Sequence, residues 1–307
     1  MAEQAALRAL YDRIGPDWAR DAGEGRRELL ESLGPLLDES ARRDGVVDEG
    51  TWSYGEDARQ VLDLYRLPGE GTRPVLVFVH GGGYVRGDKD ITPRIYGNVA
   101  RWFAAQGYLA ANMEYRLAPA APYPAGAEDL AAAVAWIRRE AHRLSADPER
   151  IFLVGHSAGG THVAHFALAP GLARDARPHV SAAAILSGRL RADVLPANPN
   201  AAGVRAYFGD DAGEHERLSP VNMVHAGAMP LFIAVAEHEN PLLDCYGAEF
   251  FMRLRACGNR RSQFMSVPRH NHLSIVAHFG SGEETLGRLL FDFFARHGGL
   301  PAACGRG

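Results

Sequence analysis

The stretch Ile151-Phe152-Leu153-Val154-Gly155-His156-Ser157-Ala158-Gly159 decides how this chain folds. Its first four residues are branched or aromatic and wholly apolar, the composition of a strand buried on both faces. The last five follow the pattern G-x-S-x-G, and an alanine-rich segment of helical character comes next. A strand that turns sharply into a helix projects the turn residue into a cleft. Glycines flank the serine because the turn is strained and neighbouring backbone passes close by. Alone, such a pentapeptide arises by chance on the order of 0.1 times per chain of this composition. The strand before it and the helix after it supply context that chance does not.

Upstream, Val75-Leu76-Val77-Phe78-Val79 is a second buried-strand pattern, followed by His80-Gly81-Gly82-Gly83. A glycine-rich backbone can aim bare N–H groups at a developing negative oxygen. The geometry typical of the motif assigns that oxyanion hole to the amides of Gly82, Gly83 and Ala158. A serine hydroxyl needs a base, and the base needs a carboxylate to fix its tautomer. In the chain order Ser, acid, His, both partners follow Ser157 in loops at the carboxyl ends of later strands. The loop after Leu231–Ala236 offers Glu237, Glu239 and Asp244. Position favours Glu239, just past the strand in Glu237-His238-Glu239-Asn240-Pro241. The loop after Gln263–Val267 offers His270 and His272, and His272, at the loop's end, is favoured. His225, His278 and His297 read as capping, pairing or surface residues. No metal-ligand spacing such as H-E-x-x-H occurs, so neither metal nor other cofactor is expected.

The remaining pattern alternates strands and helices. Strands are expected over Arg59–Leu67, Val75–His80, Gly107–Glu114, Ile151–Val154, Val180–Ser187, Leu231–Ala236 and Gln263–Val267. Helices are expected over Ala127–Arg143, Gly160–Ala169, Asp244–Cys257 and Glu283–His297. This is an α/β chain with a mostly parallel central sheet and helices on both faces. Residues 1–50 form a helical segment in which Gly15-Pro16 and Gly34-Pro35 act as breaks, and strands begin near Tyr54. That segment suits a cap over a cleft or a contact in a homodimer. Residues 51–300 form the main domain. Within it, 188–230 is far longer than a usual connection and is expected to be a lid or substrate pocket. Residues 301–307 are a tail.

Composition narrows the function. With 33 basic against 37 acidic residues, the formal charge of −4 gives no nucleic-acid footprint. No apolar run approaches the roughly 20 residues that span a bilayer, and no signal peptide is visible at Met1-Ala2-Glu3-Gln4. Cys245, Cys257 and Cys304 are too scattered for a disulfide framework, which fits free thiols in the cytoplasm.

The combination resembles the α/β-hydrolase superfamily, and within it the hormone-sensitive-lipase-like carboxylesterases. The residues that carry it are His80-Gly81-Gly82-Gly83-Tyr84, Tyr115-Arg116-Leu117-Ala118-Pro119, Tyr123-Pro124-Ala125 with Glu128-Asp129, Gly155–Gly159 and the His272 loop. It spans roughly residues 52–297. The chain is also similar to kynurenine formamidases (arylformamidases) at Tyr54-Gly55, Arg59–Tyr65, Gly87-Asp88-Lys89 and Asn271-His272. Both families place an Asp-Pro where this chain has Glu239-Asn240-Pro241. The resemblance implies an α/β-hydrolase fold with a helical cap and a Ser157–His272–Glu239 triad. It implies a small-molecule ester substrate, or an N-formyl or aryl amide in the formamidase alternative. Tyr84 and His156 are expected either to border the substrate pocket or simply to pack beside it, and His80 to brace the oxyanion loop. Arg116 and Asp129 are expected to pair structurally. A ligand-binding receptor on the same scaffold is the third reading; presence of both Ser157 and His272 weighs against it.

Overall fold

The computed structural model describes residues 2–19 and 22–299. Eight strands form one sheet: β1 (Val47–Ser53), β2 (Val61–Arg66), β3 (Arg73–Val79), β4 (Leu109–Met113), β5 (Ala146–His156), β6 (Val180–Leu186), β7 (Leu231–His238) and β8 (Gln263–Asn271). Their spatial order is β1-β2-β4-β3-β5-β6-β7-β8. The run from β4 to β8 is parallel throughout, while β1 and β2 pair antiparallel at one edge. The helices are α1 (Ala2–Ile14), α2 (Ala22–Arg43), α3 (Gly97–Ala105), α4 (Ala125–Arg139), α5 (Ala141–Leu144), α6 (Ala158–Leu168), α7 (Ala201–Phe208), α8 (Ala212–Leu218), α9 (Leu243–Ala256), α10 (Ser274–Ala277) and α11 (Thr285–Gly298).

Side chains alternate across the sheet as the two-residue period of a strand demands. Leu76, Phe78, Phe152 and Val154 face a core shared with α1, α2, α3 and α11. Val75, Val77, Val79, Ile151 and Leu153 face a second core with α4, α6 and α9. Burial on both faces explains why the parallel strands read as unbroken apolar runs. A third cluster, with Tyr84, Val204, Tyr207, Phe208 and Leu218, lies under the 188–230 insertion.

Several sequence expectations need correction. Gly34-Pro35 does not break the N-terminal segment: α2 runs straight through Pro35. Pro35 removes one N–H and frees the Glu31 carbonyl. Both residues are exposed, so water can take the freed carbonyl, while Leu29, Leu33 and Leu37 bury the opposite face. Strands begin at Val47 rather than near Tyr54, so the helical segment ends at Arg43, short of residue 50. β1 is a largely exposed edge strand of polar composition and carries no apolar alternation to read. The expected helix Ala127–Arg143 is two helices that divide at Glu140. α3 was not legible, because Tyr96 stands at its N-cap and makes no side-chain capping bond. The 301–307 tail, with Cys304, lies outside the described residues, and Cys245 and Cys257 are exposed free thiols.

Replacing Pro35 with Ala restores the missing donor in an exposed helix. The expected outcome is a gain of about 1–3 kcal/mol, read as a rise in Tm on thermal unfolding. A lower Tm would show that the proline ring contributes packing that outweighs the lost bond.

Candidate active site

The parallel strands deliver their carboxyl ends to one edge of the sheet, and the chemistry-bearing loops gather there. Ser157 sits between β5 and α6 at φ 54° and ψ −119°. For a non-glycine residue this is strained backbone, of the kind found where structure over-determines a functional position. Its amide donates to the Leu186 carbonyl at 3.0 Å, which ties the turn to β6. Gly159 shows why the pentapeptide needs its glycines. A Cβ there would fall 2.2 Å from the Val79 carbonyl oxygen and 2.4 Å from that of His80. Helix α6 can start against β3 only without a side chain at that point.

His272 lies just after β8, in a turn where the Asn271 Oδ1 accepts from the Leu273 and Ser274 amides at 3.0 and 2.8 Å. Its Nε2 is 3.1 Å from the Ser157 Oγ, and its Nδ1 donates to the Glu239 Oε2 at 2.8 Å. The three side chains form the connected arrangement that nucleophilic catalysis requires. Glu239 is only 8% exposed. Its carboxylate accepts from the Ser187 hydroxyl and, at 2.9 and 3.1 Å, from the Ala236 and Asn240 amides. Burial alone would raise its pKa, but His272, Ser187 and the Ala236 amide together hold it below the ordinary carboxylate value. It therefore stays charged and can stabilise an imidazolium.

The competing residues are engaged elsewhere. Glu237 is exposed and accepts from the Arg269 amide at 2.6 Å. Asp244 is exposed in the first turn of α9. His270 is buried between the Ser274 hydroxyl and Glu283, at 3.0 and 3.2 Å. His278 is buried too, its Nδ1 donating to the Ser274 carbonyl at 2.8 Å, and burial pushes its pKa down to about 3.

The His80–Gly83 loop lies against the nucleophile: a Cβ on Gly81 would fall 2.9 Å from that of Ser157. Gly82, at φ 149°, packs so tightly on the Arg86 carbonyl that a Cβ would lie 1.8 Å from its oxygen. No bond to another described residue is made by the amides of Gly82, Gly83 or Ala158, the first residue of α6, so all three remain available as oxyanion donors. Below the loop, the His80 Nδ1 donates to the Gly81 carbonyl at 2.6 Å, and its Nε2 lies 2.7 Å from the Glu114 Oε1. Glu114 also pairs with Arg59 and accepts from the Lys89 amide at 3.0 Å. The bracing expected of His80 is therefore a small ionic network. Arg116 and Asp129 pair as expected. The Arg116 Nη2 donates to the fully buried Asp129 at 2.7 Å, and Gln60 adds a bond at 2.7 Å.

Of the two roles the sequence left open for Tyr84 and His156, pocket wall and packing, their burial fits packing. Tyr84 is 1% exposed, its hydroxyl bonded to the Thr161 Oγ1 at 3.0 Å. Its ring stacks on Tyr207 of α7 with centroids 4.8 Å apart. It packs the insertion onto the oxyanion loop. His156 is 2% exposed, with both ring nitrogens engaged, one by Tyr96 and one by the His272 carbonyl. Sequence reasoning missed Ser187, Tyr96 and Thr161. Only Ser187 had a signal, as a hydroxyl at the carboxyl end of a strand neighbouring the nucleophile.

Two segments flank the serine. On the oxyanion side Asn200, at the start of α7, accepts from Arg86 at 3.1 Å, and the Tyr123 amide donates to the Tyr207 carbonyl at 2.8 Å. On the acid side the Trp18 indole donates to the Asn240 Oδ1 at 3.2 Å, and Tyr11 packs on His270 with ring centroids 4.9 Å apart. No helix among the described residues is long and apolar enough to cross a membrane.

Residues 62–182 match the family described as BD-FAE. Esterase LipQ of Mycobacterium tuberculosis is 27% identical over 88% of this chain and 69% of its own length. Carboxylesterase NlhH of the same organism is 35% identical over 56% of this chain, which spans 59% of that relative. Among solved structures, the esterase from Pyrobaculum calidifontis superposes with a TM-score of 0.70 at 22% identity. It covers 95% of this chain and 98% of its own. Esterase B from Lactobacillus rhamnosis gives 0.69 at 20% identity, over 88% and 95%. These two likenesses establish the fold.

Glu239→Gln keeps the shape of the acid but removes its charge and its fixed tautomer. The expected loss in kcat is on the order of three to four powers of ten, with Glu237→Gln and Asp244→Asn near wild type. Steady-state kinetics on a p-nitrophenyl ester decide it; a crippled Glu237 or Asp244 variant would move the acid elsewhere.

Proposed function

We propose that this chain, which is similar to esterases and carboxylesterases over most of its length, hydrolyses small carboxylic esters by double displacement at Ser157. The observation that carries the proposal is the continuous line Ser157–His272–Glu239, with contacts of 3.1 and 2.8 Å. His272 takes the hydroxyl proton as the Ser157 Oγ attacks the acyl carbon. Glu239 holds the imidazolium that forms. The tetrahedral oxyanion is met by the Gly82, Gly83 and Ala158 amides. The imidazolium returns its proton to the leaving alkoxide, and an acyl-enzyme remains. Water then attacks, with His272 as base, and the carboxylic acid and free serine are released. No cofactor enters the sequence.

The proposed substrates carry acetyl to hexanoyl groups. The support is the position of the two flanking segments, α1–α2 beside Asn240 and His270, and the 188–230 insertion against the oxyanion loop. Together they are read as a cap that restricts the cleft to short and medium acyl chains and limits water around the acyl-enzyme. Relatives named as esterases favour ester over formamide chemistry. The exposed thiols of Cys245 and Cys257 suit a reducing, cytoplasmic setting.

An organophosphate is expected to add once, on Ser157, and Ser157→Ala to lose about six orders of magnitude in kcat while folding normally. Mass spectrometry of the labelled peptide and steady-state rates check both. Across a p-nitrophenyl series, kcat/KM is expected to fall steeply by dodecanoyl, with no activation at an oil–water interface. Preference for long-chain emulsions would overturn the capped-cleft reading. Turnover of N-formylkynurenine without ester cleavage would replace esterase by formamidase.

A further inference from the structure

We infer that Tyr96 and His156 are a positioning pair that holds His272 in register with the oxyanion loop. The inference rests on the triad reading above and adds two residues that the triad chemistry does not itself use.

The argument follows the protons. His156 precedes the nucleophile, and its Nε2 lies 2.7 Å from the His272 backbone carbonyl oxygen. A carbonyl only accepts, so the His156 proton sits on Nε2 and Nδ1 presents a lone pair. That lone pair accepts from the Tyr96 hydroxyl at 3.1 Å. The Tyr96 oxygen sits against the backbone of the same loop: a Cβ on Gly81 would fall 2.9 Å from it. Packing on Gly81 and two hydrogen bonds therefore connect the loop that carries the oxyanion donors, through the residue before Ser157, to the backbone of His272. Each member is neutral. Burial holds the His156 imidazole well below its usual range. Burial pushes the Tyr96 phenol up to about 12. Tautomer rather than charge decides whether the chain holds.

The backbone gives an independent sign. Tyr96 stands at φ 67°. That region is costly for an aromatic residue and cheap for glycine or asparagine. Its ring is 4% exposed, packed on Phe78 and His80 with centroids 5.5 and 6.0 Å away. An aromatic residue is kept in a strained position whose result is to deliver one hydroxyl to His156. Remove that hydroxyl and the buried Nδ1 lone pair is left without its donor, so the imidazole is held by the His272 carbonyl alone. The ring would then be free to tilt, and the bond to His272 would loosen. The base would drift relative to Gly82 and Gly83, and misplacement of about 1 Å can cost about 10²-fold in rate.

The test compares Tyr96→Phe, His156→Leu, His156→Gln and the double variant Tyr96→Phe/His156→Leu in the full-length enzyme. Readouts are kcat and KM on p-nitrophenyl butyrate, the rate of inactivation by diethyl p-nitrophenyl phosphate, and Tm. His156→Leu is expected to lower kcat about 100-fold, with KM within about threefold of wild type and the inactivation rate falling in parallel. Glutamine places an amide nitrogen where Nε2 was, so His156→Gln is expected to recover to within about tenfold of wild type. Tyr96→Phe is expected to lose about tenfold, and in the His156→Leu background to lose nothing further. Losses that multiply independently in the double variant would overturn the pair. So would a glutamine variant no better than leucine at equal Tm, or a rise in KM with kcat intact. Should His156→Leu fail to fold, Tyr96→Phe decides alone, since it deletes a single oxygen; a folded Tyr96→Phe with wild-type kcat refutes the inference. An organophosphate adduct on a residue other than Ser157 in the wild-type enzyme would refute the triad reading, and the pair with it.

Discussion

A carboxylate kept ionised away from water is the constraint on which the catalytic end of this molecule depends. Burying a lone carboxylate costs several kcal/mol, and here four donors offset that cost. They come from the carboxyl end of β6 (Ser187), the end of β7 (Ala236), the loop beyond it (Asn240) and the turn after β8 (His272). Three neighbouring strands must therefore end at matching heights. The parallel register that pairs Leu186 with Ala234, and Ala236 with Val267, provides this. The extra methylene of glutamate has a use in this frame. From a loop position three residues beyond Ala236, the side chain folds back to the strand's own amide while still reaching His272. The acid is thus both a partner of the base and a tie between strands.

Much of this was legible before any coordinates. Strands buried on both faces announce themselves as unbroken apolar runs. The nucleophile and the oxyanion loop announce themselves through glycines, because close backbone approach leaves few other residues possible. Position relative to a strand's end selected Glu239 and His272 over Glu237, Asp244 and His270, and in the structure it is Glu239 and His272 that contact one another, with Ser157 beyond. What stayed hidden has physical reasons. β1 is an exposed, polar edge strand, and α3 starts without a capping side chain. Pro35 looked like a stop because a proline's cost depends on solvent access to the freed carbonyl, which a sequence does not state. For Tyr84 and His156 pocket wall and packing stayed open, because a motif gives nearness to a site, not the direction in which a side chain points. Tyr96 belongs to no motif at all, and its meaning lies in a torsion angle.

The two flanking segments sit around the candidate site without supplying its central residues. Neither α1–α2 nor the 188–230 insertion contributes a triad residue, yet each touches a different half of the machinery. The N-terminal helices lie on the acid and base side through Trp18, Tyr11 and the exposed Arg269–Asp12 pair. The insertion lies on the oxyanion side through Asn200 and Tyr207.

The stack of Tyr84 on Tyr207 has an implication for how such a scaffold can change. A wall that merely enclosed the cleft could be exchanged for another, altering which molecules enter and leaving the catalytic rate alone. Here the wall is also a foundation: its aromatic face supports the residue next to Gly83, and Thr161 ties that residue to the helix that begins after the serine. On the proposed reading, in which the insertion caps the cleft, selectivity and turnover share one set of contacts. A new insertion grafted between β6 and β7 would have to supply its own flat aromatic partner for Tyr84 before its effect on substrate choice could be seen. Divergence at this position is expected to proceed by small edits around a retained aromatic pair rather than by wholesale replacement of the segment.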